Sequence, residues 1–288
     1  MHDLQLRLAR LREKAQARAA ADSPLTEQLG RLRVTLKPQG KPTTEALAAS
    51  LGGTVVAPAL IELERSFPLP FPHGRIDIRG GEALARAARA VGRLSGPVAP
   101  HSLLFLDTET TGLAGGTGTV AFVVGLAWIE GATLRVVQGL MAGFAGEREL
   151  LRRVASQVAG ACVLVSFNGK SFDVPLLKAR SRLTGCSFST ENAAHLDLLH
   201  ATRRLLHAGW PDCRLRTAEA EALRLDRVND LPGAEAPAAW RRWLEHGDGD
   251  RLARVLDHNR ADLLSLAALL ALLEYPTKRE APLLHATA

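Results

Sequence analysis

Cysteine is scarce in this chain of 288 residues, and its three copies, Cys162, Cys186 and Cys213, are odd in number and widely spaced. No Cys-x-x-Cys occurs. That pattern excludes a disulfide framework and a zinc knuckle, and reduced thiols in a cytoplasmic protein are expected. Long apolar runs are also missing. The longest, Val120 to Ile129, has ten residues, and a membrane span needs ~20, so no membrane association is expected. The N-terminus alternates Arg with Leu and has no uninterrupted apolar stretch, so no secretory signal is expected. Internal repeats and low-complexity segments are absent. With 47% hydrophobic and 23% charged residues, a disordered or collagen-like chain is excluded.

Lysine is rare too: only six of the 36 basic residues are Lys, and the rest are Arg. The net charge is +6 and is unevenly spread. Residues 1–100 hold 15 basic and 9 acidic side chains, whereas residues 101–288 hold 21 of each. A basic arm beside a neutral body suits a polyanionic partner such as nucleic acid, although Arg-rich solvated helices look the same.

Hydrophobic periodicity predicts an amphipathic helix over residues 3–20, with Leu4, Leu8, Leu11 and Ala15 on one side. Pro38 to Thr43 reads as a linker. A short helix is expected from Thr44 to Leu51, stopped by Gly52-Gly53. Short strands follow at 55–56, 60–67 and 75–78, then a helix over 81–91. These residues, 1–100, form the expected N-terminal extension. From residue 102 the pattern changes to strands at 103–107, 120–128, 134–141 and 162–166. Helices are expected at 147–158, 174–183, 196–206 and 252–273. Three strands close together, then strands alternating with helices, predict an α/β domain with a mixed sheet over residues 101–288.

Two look-alike motifs fail on context. Gly116-Thr-Gly118-Thr-Val-Ala121 matches a dinucleotide fingerprint, but it runs into a strand and no acid occurs from 131 to 146. Gly169-Lys170-Ser171 resembles the end of a phosphate-binding loop, but Leu164 stands where the required glycine would be.

Three other stretches carry chemistry. Asp107-Thr-Glu109-Thr-Thr111-Gly112 closes the apolar strand Leu103–Leu106. Residues two apart on a strand share a face at ~6.6 Å, so Asp107 and Glu109 project together. Two adjacent carboxylates repel unless a cation neutralises them, and hard oxygen ligands suit Mg²⁺ or Mn²⁺. Alone, the pair has a less favoured competing reading as solvated acids in a turn. Asn168-Gly-Lys170-Ser-Phe172-Asp173 follows a strand and opens a helix, where Asp173 reads as an N-cap when taken alone. His258 and Asp262 are i and i+4 on a late helix and share one face.

In this order the three stretches resemble the exonuclease motifs of the DEDD superfamily, and together with His195–His200 and Cys213–Glu219 they resemble more closely its YprB-like branch. The resemblance covers residues 102–274 and implies a ribonuclease H-like fold. It also implies a metal-dependent nuclease acting on DNA or RNA, a 3′→5′ exonuclease using two divalent cations, Mg²⁺ or Mn²⁺. Asp107, Glu109, Asp173 and Asp262 correspond to its metal-ligand carboxylates, and His258 to its general base. Three residues separate His258 from Asp262, which is the spacing of the Tyr-type class, and Asp257 stands where closer relatives often carry tyrosine. Thr111, Leu113, Asn168 and Lys170 are the substrate-contact candidates; Asn168 reads equally as a loop-stabilising residue, and a solvated surface lysine is the default reading of Lys170. Phe172 is expected in the core, with a wedge against terminal bases as its second reading. Asp197 is expected to shape the rim. A non-catalytic nucleic-acid-binding protein, or an adaptor docking through its basic N-terminal helix, is the competing reading. Deleting residues 1–40 discriminates, because a nuclease core keeps its activity.

Overall fold

The protein is described by a computed structural model, which covers residues 41–112, 118–227 and 230–274. The helix expected at 3–20 and the candidate Leu113 lie outside the described residues. Helix α1, Thr44–Leu51, starts on the hydroxyl of Thr43 and ends at Gly52 in the left-handed conformation. Strands β1, Thr54–Ala57, and β2, Leu60–Pro68, follow. A small β3–β4 hairpin, Phe71–His73 and Ile76–Ile78, leads to helix α2, Gly81–Gly92.

The central strands are β5, Leu103–Thr110, β6, Ala121–Glu130, and β7, Thr133–Met141. Helix α3, Glu147–Ala159, precedes β8, Val163–Ser166, and helix α4, Asp173–Leu183, precedes β9, Ala194–Asp197. The remaining elements are α5, Leu198–Leu205, the one-turn α6, Leu215–Ala218, a π-helical turn at Glu219–Leu223, α7, Ala236–His246, and α8, Leu252–Leu273. The seven-stranded sheet runs in the order β1-β2-β7-β6-β5-β8-β9. Its first five strands are antiparallel, and β5, β8 and β9 are parallel. The expected mixed sheet flanked by helices is therefore present. Residues 54–68 of the expected extension widen this sheet beyond β7, and the described residues from Thr43 onward form one unit.

Side chains alternate across a strand, and β5 shows the consequence. Leu103 and Phe105 pack with α2 and the C-terminal half of α8, whereas Leu104 and Leu106 pack with α3 and α7. Both faces are covered, so β5 is apolar from Leu103 to Leu106 and β6 carries no polar side chain from Ala121 to Ile129. The next odd-numbered residues, Asp107 and Glu109, continue the α8 face. Gly125 on β6 lets α8 approach: a Cβ there would lie 2.2 Å from Asn259 Oδ1 and 2.8 Å from Leu263 Cδ1.

One expected helix is corrected. Residues 196–206 do not form a single helix. Residues 194–197 pair in parallel with β8, and the helix starts only at Leu198. The exposed ladder of β8 supplies hydrogen bonds that local periodicity does not reveal, and Asp197 then caps α5 through the Leu199 N–H at 3.1 Å.

Candidate active site

The site lies where the end of β5, the start of α4 and the middle of α8 meet. Glu109 is buried, and Asp107, Asp173, His258 and Asp262 are half-buried. The three aspartates are held in a common way. Asn259 Nδ2 donates to Asp107 Oδ2 at 2.7 Å, Thr108 Oγ1 donates to Asp173 Oδ1 at 2.5 Å, and Arg227 Nη2 donates to Asp262 Oδ1. The second oxygen of each aspartate accepts no hydrogen bond from another described residue.

Electrostatics tie the acids together. Burial pushes the Asp107 carboxyl well above the usual range, and the charges of Asp262, Glu109 and Asp173 push it further, against the Asn259 amide. Glu109 is raised by burial, then by Asp262, Asp173 and Asp230. Asp173 is raised to about 6 by burial, which outweighs its hydrogen bond from Thr108.

A second group of side chains lies beside them. His258 Nδ1 is 2.8 Å from Asp230 Oδ2, and its Nε2 is 3.8 Å from Asp262 Oδ2. Arg227 Nη2 contacts Glu219 as well as Asp262, and Nη1 lies 3.4 Å from Asp230 Oδ2. Burial pulls the guanidinium down, but Asp262 and Glu219 override it and hold Arg227 above its ordinary value. Burial raises the Glu219 carboxyl against the opposing charge of Arg227. The Ser265 hydroxyl also donates to Glu219, and His73 Nε2 is 2.8 Å from that hydroxyl.

The loop between β8 and α4 is clamped from β9. Asp197 takes the backbone N–H of Asn168 at 2.7 Å and of Lys170 at 3.1 Å. Asn168 has φ +64°, a left-handed conformation that asparagine tolerates. Gly169 is packed so closely that a Cβ would lie 2.4 Å from Ser166 Oγ and 3.1 Å from Asp173 Oδ2. The Lys170 side chain is exposed. Phe172, expected in the core, is 51% exposed. It sits at the cap of α4, where the chain turns Asp173 inward and the phenyl ring outward. Thr111 joins the ends of the loop after β5, because its N–H donates to Val120 O at 2.9 Å and its hydroxyl accepts from Val120 N at 3.0 Å.

Sequence reasoning did not single out Gln138, Glu219, Arg227, Asp230 or Asn259 for the site. Gln138 Nε2 donates to Asn259 Oδ1 at 2.8 Å and so fixes the amide that holds Asp107. The available signal was Asn259, a buried polar residue one step after His258 in a helix of apolar residues. Arg227 and Asp230 lie in a loop with no local motif, whereas Glu219 ends the stretch Cys213–Glu219, whose resemblance gave it no role.

A protein of Bacillus subtilis (strain 168), YprB, is 37% identical over 170 residues, which span 59% of this chain and 41% of YprB. Among solved structures, the family B DNA polymerase from the hyperthermophilic archaeon Pyrobaculum calidifontis matches with a TM-score of 0.49 and 14% identity, over 78% of this chain and 30% of the polymerase. The chain therefore spans less than half the length of either protein. The model of the RNase_H_2 family matches residues 104–274, which contain Asp107, Glu109, Asp173, His258 and Asp262, and the chain belongs to the RNase_H superfamily.

Proposed function

We propose that this protein is a metal-dependent nuclease that hydrolyses phosphodiester bonds of DNA or RNA, releasing nucleotides from 3′ ends in the DEDD manner. One observation carries the reading: Asp107, Asp173 and Asp262 each have one oxygen held by the protein and the other left open, beside the buried Glu109. A binding module has no need to bury mutually repelling acids in this way.

The donor set fits Mg²⁺ or Mn²⁺, because every candidate ligand is a hard carboxylate oxygen. Among the described residues, no three His, Cys, Asp or Glu side chains already close on one point. Asp107, Glu109, Asp173 and Asp262 are the residues that would hold two ions. Such ions supply a nucleophilic water and stabilise the leaving oxygen of an in-line displacement.

The chain's own residues do the rest. Asp230 accepts from His258 Nδ1–H, which fixes the tautomer and leaves Nε2 as the acceptor for a proton of the attacking water. The Lys170 ammonium is free to meet a backbone phosphate. The outward ring of Phe172, next to Asp173, offers a stacking face to an unpaired base. Asn168 is assigned to holding the loop, since its backbone rather than its side chain is engaged by Asp197.

The test uses end-labelled single- and double-stranded DNA and RNA with Mg²⁺ or Mn²⁺. Mononucleotides released from 3′ ends are expected. Internal fragments would replace the exonuclease reading with an endonuclease. Binding without cleavage would leave the non-catalytic alternative.

A further inference from the structure

We propose that Arg227 is a positioning residue that holds Asp262 apart from His258, with Glu219 as its seat. The inference rests on the reading above, in which Asp262 is a metal ligand and His258 the base.

The geometry is that of a bridge. The Arg227 side chain is 9% exposed and Glu219 is 1% exposed. One guanidinium nitrogen, Nη2, donates to both Glu219 Oε1 and Asp262 Oδ1. The other, Nη1, lies 3.4 Å from Asp230 Oδ2, 3.3 Å from His258 Nδ1 and 3.5 Å from the His258 carbonyl. A planar fork can serve two carboxylates at fixed angles, and an ammonium cannot. Arg227 therefore touches both the acid and the base of the site without itself facing the open carboxylate oxygens.

The seat is referenced to the helix that carries both partners. His258, Asp262 and Ser265 are i, i+4 and i+7 on α8 and share one stripe. Glu219 is tied to the last of them by the Ser265 hydroxyl, which His73 backs from β3. Glu219 opens a π-helical turn, a local irregularity that often marks functional positions. Arg227 Nε is buried with no hydrogen-bond partner. A buried ion pair with an orphaned donor is a poor way to stabilise a fold, since apolar residues of similar volume do as well or better.

The consequence concerns Asp262. With Oδ1 committed to Arg227, its Oδ2 stays 3.8 Å from His258 Nε2, beyond hydrogen-bond reach. Freed from Arg227, the carboxylate can swing onto the imidazole. That contact would remove a metal ligand and a proton acceptor together.

The test compares the parent with Arg227→Lys and with a Glu219→Gln/Arg227→Met double variant. The double variant removes the buried Glu219 carboxylate together with its guanidinium partner, leaves only the less deeply buried Asp230 and Asp262 without that partner, and remains informative if the single change prevents folding. Mn²⁺ binding is read by calorimetry, and kcat and KM are measured on an end-labelled single-stranded oligonucleotide. Both variants should lose ~10–100-fold in kcat, bind Mn²⁺ ~10-fold more weakly and keep KM within ~2-fold, as is typical for groups that orient metal ligands. A folded double variant with parental Mn²⁺ affinity and kcat would overturn the proposal while leaving the nuclease reading intact. A parent that neither binds Mn²⁺ nor cleaves would overturn both.

Discussion

Asp107, Glu109 and Asp173 occupy one side of the site with no basic side chain in contact among the described residues. Asp262, Glu219 and Asp230 occupy the other and share Arg227. The first side is built of strand end and helix start, and its two aspartates are held by uncharged donors from Asn259 and Thr108. The second is built of loop, π-turn and helix, and brings its own cation. Leaving a buried carboxylate unpaired costs several kcal/mol, so the first side is destabilised for the sake of what it can receive. The second side has one cation among its three acids and is partly neutralised in advance. On the proposed reading the first side offers three metal-ligand carboxylates, and the second offers one, Asp262, together with the Arg227 network that orients it.

The largest expected effect separates the two sides by sign. Asp107→Asn should abolish cleavage yet raise stability by about 1 kcal/mol, because it relieves repulsion among acids. Asp230→Asn, on the other side, should lower stability by removing a partner of both Arg227 and His258. Assays in Mg²⁺ paired with thermal unfolding check both, and an Asp107→Asn protein cleaving at the parental rate would show the site misassigned.

Next comes the base. His258→Ala should lower the rate ~10²–10⁴-fold, the usual contribution of a general base. His258→Tyr should recover part of that loss, increasingly so at higher pH, where a phenol ionises more readily. Parental kinetics in His258→Ala would mean that the bound ions alone activate the water.

A smaller effect should appear in stability against pH. Burial lowers the His73 imidazole to about 4, assisted by Arg227. Burial also lowers His195 to about 4, with Asp197 opposing and Lys170 and Lys178 assisting. A base whose folded-state value is depressed is neutral without penalty above its unfolded value of ~6.5, and stability is lost as pH falls from there toward 4. For the buried His73 the loss approaches about 3 kcal/mol at pH 4. Chemical denaturation of the parent and His73→Gln should diverge between pH 6.5 and 4. Parallel curves would remove His73 from the network behind Glu219.

The smallest effect tests the exposed ring. Phe172→Ala should raise KM for a single-stranded oligonucleotide ~5–10-fold, the low end of base stacking on an aromatic, with kcat little changed. Equal KM values for parent and variant would make the ring a bystander.

How much was legible in the sequence varies with the length of the signal. Helices α1 and α8 were predicted with their observed limits, because Gly52-Gly53 stops one and a long apolar-rich run defines the other. Strands β5, β6, β7 and β8 were predicted within three residues at every end, because buried strands read as apolar runs. Strand β9 was absorbed into a helix, since four residues are too few for a periodicity and its pairing partner is 31 residues away. Helix α7 was not predicted, although Pro237 in its first turn and the spacing of Trp240 and Trp243 were available signals.

The sequence by itself determined the mixed α/β character of the domain and the shared face of Asp107 and Glu109. These follow from local rules: strand alternation, helical periodicity and the punctuation of glycine and proline. Only the tertiary structure decided that Asp173 and Asp262 come to that face, that Asn259 and Gln138 hold Asp107, and that Phe172 points outward. It alone placed Arg227 between Glu219 and Asp262, residues 8 and 35 positions away. The reason is physical. A backbone pattern repeats within a few residues and can be read locally, whereas a charge finds its partner through space, after the sheet and α8 have already fixed where each side chain stands.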